Sequence, residues 1–233
     1  MRRGKLIVFE GIDGSGKLTQ AKLLVRRLKR EGFKAAAVDF PRYGNPSASF
    51  VEAYLRGEFG KATAVKPEVA SLFYALDRYA ASFSLRRLLS KGVILVADRY
   101  TSSNIGHQGG KLIKNPARWR AYIRWIDTLE YVMLGIPRPD QIFLLQTDPS
   151  FSRRTAQQRS HAKERNVEHS VKKGKDIHEK DIAHLRAAAA SYRRFAREFP
   201  RGVRAITVAE SGKFLSKEKI HEMIWKEVRR LVR

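Results

Sequence analysis

The chain contains no cysteine, which excludes disulfides, thiolate metal sites and cysteine nucleophiles. No apolar run approaches the ~20 residues needed to span a bilayer. The opening MRRGKLIVFEGIDG passes from two arginines straight into a strand-like segment, unlike a signal peptide. A cytoplasmic protein with no membrane attachment is expected. There is no internal repeat, low-complexity tract or Pro/Gly-rich linker long enough to divide the chain, so one domain over residues 1–233 is expected. Negative charge is scarce: 23 Asp and Glu stand against 47 Lys and Arg, a net charge of +24. That balance attracts polyanions such as nucleotides, nucleic acids and acidic membrane surfaces. The basic residues are nevertheless spread along the chain, with only short runs at RRLKR (26–30) and VKKGK (171–175). A solvated basic surface is therefore favoured over a dedicated nucleic-acid face.

What is present is enough apolar material for a full core, 43% of residues. Short apolar segments at Lys5–Glu10, 35–40 (AAAVDF), 93–97 (VILVA), 141–146 (QIFLLQ) and 203–208 (VRAITV) read as strands. Helices are expected over Thr19–Arg30, with Leu24, Val25 and Leu28 on one face, and from Pro67 to Ser90. Further helices are expected from Pro116 to about Leu134, briefly from Pro149, over Asp181–Phe199, and from Ser216. Strands that are continuous apolar runs, alternating with helices, describe an α/β fold: a five-stranded parallel sheet with helices on both faces. Ligands in such sheets bind at the carboxyl ends of the strands.

Three motifs fall at those ends. After the first strand, Gly11-Ile12-Asp13-Gly14-Ser15-Gly16-Lys17 leads into a helix. Glycines let the backbone wrap a phosphate, its N–H groups point inward, the helix N-terminus adds positive charge, and Lys17 reaches the outer phosphates. The next residue normally supplies a hydroxyl to Mg²⁺, but here it is Leu18. Thr19 is turned by roughly 100° on the helix and does not substitute in the same geometry. Asp13 is the nearest replacement oxygen ligand.

After the third strand, Asp98 and Arg99 pair a carboxylate suited to a metal or its water with a guanidinium suited to phosphate. After the second strand, FPRYG adds Arg42 and Tyr43, a cation and a phenol for an anionic group. On the long helix, Tyr74 and Arg78 lie four apart on one face, an aromatic plate beside an arginine that suits a nucleobase.

Together, FEGIDGSGK, FPRYG, LFYALDR and the DRY..SN turn resemble the thymidylate kinase family, in its order and approximate spacing. The resemblance implies a three-layer P-loop NTPase fold with a mobile lid, and transfer of the ATP γ-phosphoryl group to dTMP, giving dTDP for dTTP synthesis, with Mg²⁺ and usually as a homodimer. It implies that Gly11, Asp13, Gly14, Ser15, Gly16, Lys17, Leu18 and Thr19 line the ATP phosphates. It assigns Arg99, Arg42 and Tyr43 to the dTMP phosphate. Tyr74 takes the stacking position on thymine, Arg78 and Asn104 the base edge, Phe40 the pocket wall and His107 a position near the sugar. That last position is commonly a tyrosine that disfavours a ribose 2′-hydroxyl. RRTAQQRSHAKER resembles the lid, about 153–176, with Arg159 and then Arg154 as the arginines that neutralise the transferring phosphoryl. DIHEKD resembles the segment after the lid, bringing Glu179 near acceptor and metal, with His178 where a tyrosine is usual. Mg²⁺ is then expected on Asp13 and Glu179 with phosphate oxygens. Two alternatives stay open: a kinase for dUMP or a ribonucleotide, and a catalytically impaired basic nucleotide- or nucleic-acid-binding protein on the same fold.

Overall fold

The computed structural model describes residues 3–150, 182–210 and 213–232. Five strands, β1 (Leu6–Glu10), β2 (Ala35–Asp39), β3 (Ile94–Asp98), β4 (Gln141–Gln146) and β5 (Val203–Thr207), form one parallel sheet in the order β2-β3-β1-β4-β5. Alternate residues serve opposite faces. Leu6, Val8, Leu95 and Ala97 join one buried cluster, while Ile7, Phe9, Ile94 and Val96 join another. Covering both faces is why the strands read as unbroken apolar runs.

One face is covered by α1 (Lys17–Arg30) and α7 (Lys217–Val232), through Leu24, Leu28, Ile224 and Trp225. The other is covered by α3 (Pro67–Ser90), α4 (Ser102–Gly110) and α5 (Pro116–Asp127), through Leu85, Leu89, Ile105, Trp119 and Ile123. α6 (Ile182–Glu198) packs across α4. A short α2 (Ser49–Arg56) precedes α3, and a small hairpin, Ala209–Glu210 with Lys213–Phe214, precedes α7.

Several expected boundaries shift. α1 begins at Lys17, so the lysine sits on the first helical turn rather than before it. The helix from Pro116 does not continue to Leu134 as an α-helix but widens into a π-helical turn over Thr128–Met133. Ser216 lies just before α7, and its Oγ accepts from the Lys219 N–H at 3.1 Å. α4, with three glycines among nine residues, is a helix that propensity argues against. Its glycines have a packing reason. A Cβ at Gly106 would lie 2.2 Å from the Tyr192 ring, and one at Gly110 would lie 3.0 Å from the Ala187–Ala188 backbone. Small residues on both helices let α4 and α6 approach closely. The expected short helix from Pro149 is helical at Pro149 and Ser150, while its remainder, the start of the 181–199 helix and the lid lie outside the described residues, beyond Ser150 and before Ile182.

Glu10 ties these elements together. Fully buried at the end of β1, its carboxylate accepts from the Tyr100 N–H (2.9 Å), Ser102 Oγ (2.9 Å), Ser103 Oγ (2.8 Å) and Tyr192 Oη (2.7 Å). Burial and then the Glu10 charge raise the Tyr192 phenol well above its ordinary pKa, so it stays a donor. Glu10→Ala should therefore lower the unfolding free energy by about 3 kcal/mol or more, because several buried donors lose their acceptor together. Ser103→Ala, which removes one donor, should cost about 1 kcal/mol. Urea titrations of the two variants check this, and equal small shifts would show that water replaces the carboxylate.

Candidate active site

At the carboxyl edge of β1 the chain turns back under Leu145. A Cβ at Gly11 (φ 138°) would lie 2.5 Å from the Leu145 carbonyl oxygen, so only glycine passes. Gly16 (φ 95°) caps α1, with open space where its Cβ would be. The loop is thus a backbone cradle open at the helix N-terminus. Lys17, 6% exposed, donates to the Ile12 carbonyl at 3.0 Å and lies 3.9 Å from Asp13 Oδ1. Burial first, then the Arg99 charge, push the Lys17 ammonium down to about 8, with Asp13, Asp98 and Glu10 opposing.

Arg99 follows β3 with φ 67°, an unusual backbone for a residue with a side chain. Its N–H donates to the Phe9 carbonyl at 3.0 Å, which pins the turn beside the phosphate loop. The guanidinium bonds Asp13 Oδ1 and reaches His107 Nε2 at 3.0 Å. Burial alone would raise the Asp13 carboxyl, but Arg99 and Lys17 outweigh it and hold it well below the usual carboxylate range. Loop, Asp98 turn and α4 therefore converge on one cationic centre.

Three buried polar atoms around the loop, Ser15 Oγ, Gln20 Oε1 and Asp98 Oδ1, make no hydrogen bond among the described residues. Such atoms are uncommon in folded interiors, and a ligand, an ion or ordered water can satisfy them. A pocket of about 150 Å³ adjoins the cradle, lined by Thr19, Gln20, Phe214, Leu215 and Lys217. It offers apolar surface beside polar groups, as a nucleoside requires. Leu18 is 45% exposed and brings no oxygen. Among the described residues no group of three or more His, Cys, Asp or Glu gathers as a metal cage.

The remaining expected residues divide into two groups. Phe40 is buried, edge-on to Tyr100. Arg42 donates through Nε to Asp77 Oδ1 (3.0 Å) and through an Nη to Ser47 Oγ (2.7 Å) and the Asp77 carbonyl (2.9 Å), so most of its fork is already occupied. Tyr43 is exposed. Tyr74 is half-buried, edge-on to Tyr54 at 6.4 Å. Arg78 is fully buried and grips Glu130 through two bonds of 2.6 and 2.7 Å, while Asn104 Nδ2 donates to the same carboxylate at 3.0 Å. The base-edge pair of the sequence reading is thus brought together, with Glu130 between its members. His107 faces Arg99 and His184. Arg154, Arg159, His178 and Glu179 lie outside the described residues.

Glu10, Asp77 and Glu130 were missed. Each is an acidic residue within an otherwise apolar stretch, the signal that a buried partner must exist.

Residues 9–193 match the family model described as thymidylate kinase. The chain is 36% identical to a thymidylate kinase from Mycobacterium tuberculosis (strain ATCC 25618 / H37Rv) over 141 residues, 60% of this chain and 64% of the relative. It is 32% identical to the Homo sapiens thymidylate kinase over 145 residues, 62% of each chain. The matched segments thus span somewhat under two-thirds of those relatives' lengths. A solved thymidylate kinase from Candida albicans superposes with a TM-score of 0.68 at 20% identity, covering 98% of this chain and 92% of that one.

Because Lys17 titrates near pH 8 in the free protein, a bound polyphosphate should raise its pKa, and binding should take up a proton. Affinity should accordingly fall as pH rises through about 8. Calorimetry with tripolyphosphate at pH ~8.5, in two buffers of different ionisation enthalpy, should show more proton uptake for the wild type than for Lys17→Met. Equal proton linkage in the two proteins would contradict the assignment.

Proposed function

The chain belongs to the thymidylate kinase family, and from that premise we propose that it transfers the γ-phosphoryl group of ATP to dTMP, giving dTDP and ADP for dTTP synthesis. The observation that carries this reading is the convergence of the phosphate cradle, Lys17 and Arg99 on the Asp13 carboxylate at one sheet edge. A donor held by the cradle and an acceptor phosphate on Arg99 would meet across Asp13.

In this reading the loop amides, Ser15 and Lys17 bind the donor phosphates, and the pocket beside Phe214 and Leu215 receives the donor's base. Arg99 carries the acceptor phosphate, helped by Arg42 and Tyr43. The acceptor base packs between Phe40 and Tyr74, with Asn104 and Arg78 along its edge and Glu130 holding both. An acceptor phosphate is already nucleophilic, so the work is alignment and charge neutralisation, not general-base catalysis. Asp13 and the unpartnered oxygen of Asp98 are the described groups suited to hold Mg²⁺. Glu179 is the further acid expected there, and Arg159 and Arg154 the lid arginines. Bound Mg²⁺ supplies charge neutralisation at the donor phosphates. Leu18 then marks a metal shifted toward the loop carboxylate rather than a lost one.

A second reading, a kinase with a ribonucleotide acceptor, is favoured by His107 standing where tyrosine is usual. A coupled ADP-release assay with ATP, Mg²⁺ and dTMP, beside dUMP, dGMP, UMP and CMP, decides between them. Turnover should be strongest with dTMP. Lys17→Ala and Arg99→Ala should each lower kcat/KM by about 10²-fold or more, and Thr19→Ala by far less. Equal mild effects of all three would sink the assignment.

The proposed assembly is a homodimer through α3. Val69, Leu72, Leu76, Tyr79 and Phe83 are all exposed along this helix, with Phe83 at 58%. Their spacing of three and four keeps them on one stripe. A second copy presenting the same stripe would bury it. Sedimentation equilibrium should give twice the 26.6 kDa of one chain, and Leu76→Glu should shift the population toward monomer. An unshifted wild-type monomer would rule the interface out.

A further inference from the structure

Arg99 is the residue on which the acceptor phosphate depends in the function proposed above, and its guanidinium does not end at Asp13. On its other side one Nη lies 3.0 Å from His107 Nε2, and His107 Nδ1 lies 3.2 Å from His184 Nε2. The two imidazole planes lie 22° from parallel with centroids 5.4 Å apart, and Tyr192 is edge-on to His107 at 5.9 Å. The close α4/α6 packing permitted by Gly106 and Gly110 brings the two histidines together.

Arg99 sets the direction of the first bond in this chain, and the second bond reinforces it. A guanidinium has donors and no acceptor, so His107 Nε2 must offer its lone pair. A neutral imidazole with a bare Nε2 carries its proton on Nδ1, and within this pair it is then His107 Nδ1–H that donates to His184 Nε2. His184 Nε2 is therefore also bare. An imidazole without such neighbours carries its neutral proton mostly on Nε2. In that tautomer His107 would set an N–H against the N–H of Arg99.

We propose that His184 is a positioning residue for phosphoryl acceptor binding: by accepting from His107 Nδ1–H it reinforces the tautomer in which His107 holds Arg99 on the side opposite Asp13. The inference rests on the proposed acceptor role of Arg99 for its kinetic consequence, but not for its chemistry. Arg99 is thus held from two sides, by a carboxylate and by an oriented imidazole, and its fork keeps one orientation when phosphate arrives. The function proposed above assigns His184 to neither nucleotide. It acts through His107, as the outer partner of a metal-bound or catalytic histidine fixes that ring.

Two readouts test this. Long-range ¹H–¹⁵N spectra of the imidazoles in the nucleotide-free protein should show His107 neutral and protonated on Nδ1. In His184→Phe, with Arg99 still in place, the Nδ1 tautomer should lose population to Nε2, and in His184→Gln, whose Oε1 can accept in place of the ring nitrogen, the native signature should return. Kinetically, His184→Phe should raise the KM for dTMP about tenfold with kcat changed far less, as expected for one lost charge-assisted contact. His184→Gln should recover most of the loss. The spectra need no turnover, so a chain that proves inactive toward dTMP fails the functional reading without touching this one. A wild-type His107 protonated on Nε2 or on both nitrogens overturns the proposal. So does a His184→Phe variant with an unchanged KM, or a Gln variant as impaired as Phe.

Discussion

Glu10 holds the site open for business at the centre of the sheet: one carboxylate, removed from water, receives a backbone N–H, two hydroxyls and a phenol from the β3 turn, α4 and α6. A buried charge of this kind is tolerable only when its lone pairs are met, so the three segments have little freedom to sit elsewhere. Tyr100 is the neighbour of Arg99, and Ser102 opens α4, which carries Asn104 and His107. The positions of both ends of the expected acceptor pocket therefore follow from one acid at the end of β1. The phosphate loop starts at the very next residue, so the loop and the Arg99 turn share one reference point.

The Arg78–Glu130 pair plays the matching part deeper in the helical layer. Both side chains are nearly without solvent contact, at 1% and 0% exposure. Taking two charges from water is costly, and such a pair adds little stability over an apolar one. What it supplies is orientation. Glu130 stands in the π-helical turn after α5, and through it Arg78 on α3 and Asn104 on α4 are held on one carboxylate. Asp77 does the same for Arg42 and Ser47. Each cation assigned to the acceptor thus has an acid behind it, which lets a strongly basic chain gather several arginines and a lysine in one place.

Much of this was legible in the sequence where local rules coincide with the fold. Buried parallel strands are apolar on both faces, so β1, β3 and β4 stand out as runs, and Gly11 and Gly16 mark a turn only glycine can make. The family resemblance at FPRYG and DRY..SN added the acceptor side. Illegible were the features created by tertiary contact. SSNIGHQGG has poor helix propensity and is a helix because α6 needs its missing side chains. Glu10 and Glu130 read as the end of a strand and as one polar residue among aromatics, because nothing local names the donors that reach them from ~90 or more residues away in the one case and from another helix in the other. The π-helical turn likewise leaves no pattern distinct from an α-helix over six residues.

The backbone at Arg99 carries a last implication, in the terms of sequence variation. Its φ of 67° lies where glycine and asparagine sit easily and a long side chain does not, at a strain on the order of 1–2 kcal/mol. A glycine or asparagine at 99 would relieve this backbone strain, at the loss of the guanidinium that meets Asp13. Drift that selects for folding alone would erode this position early, and an arginine here is evidence that the chain is held to something besides its own stability.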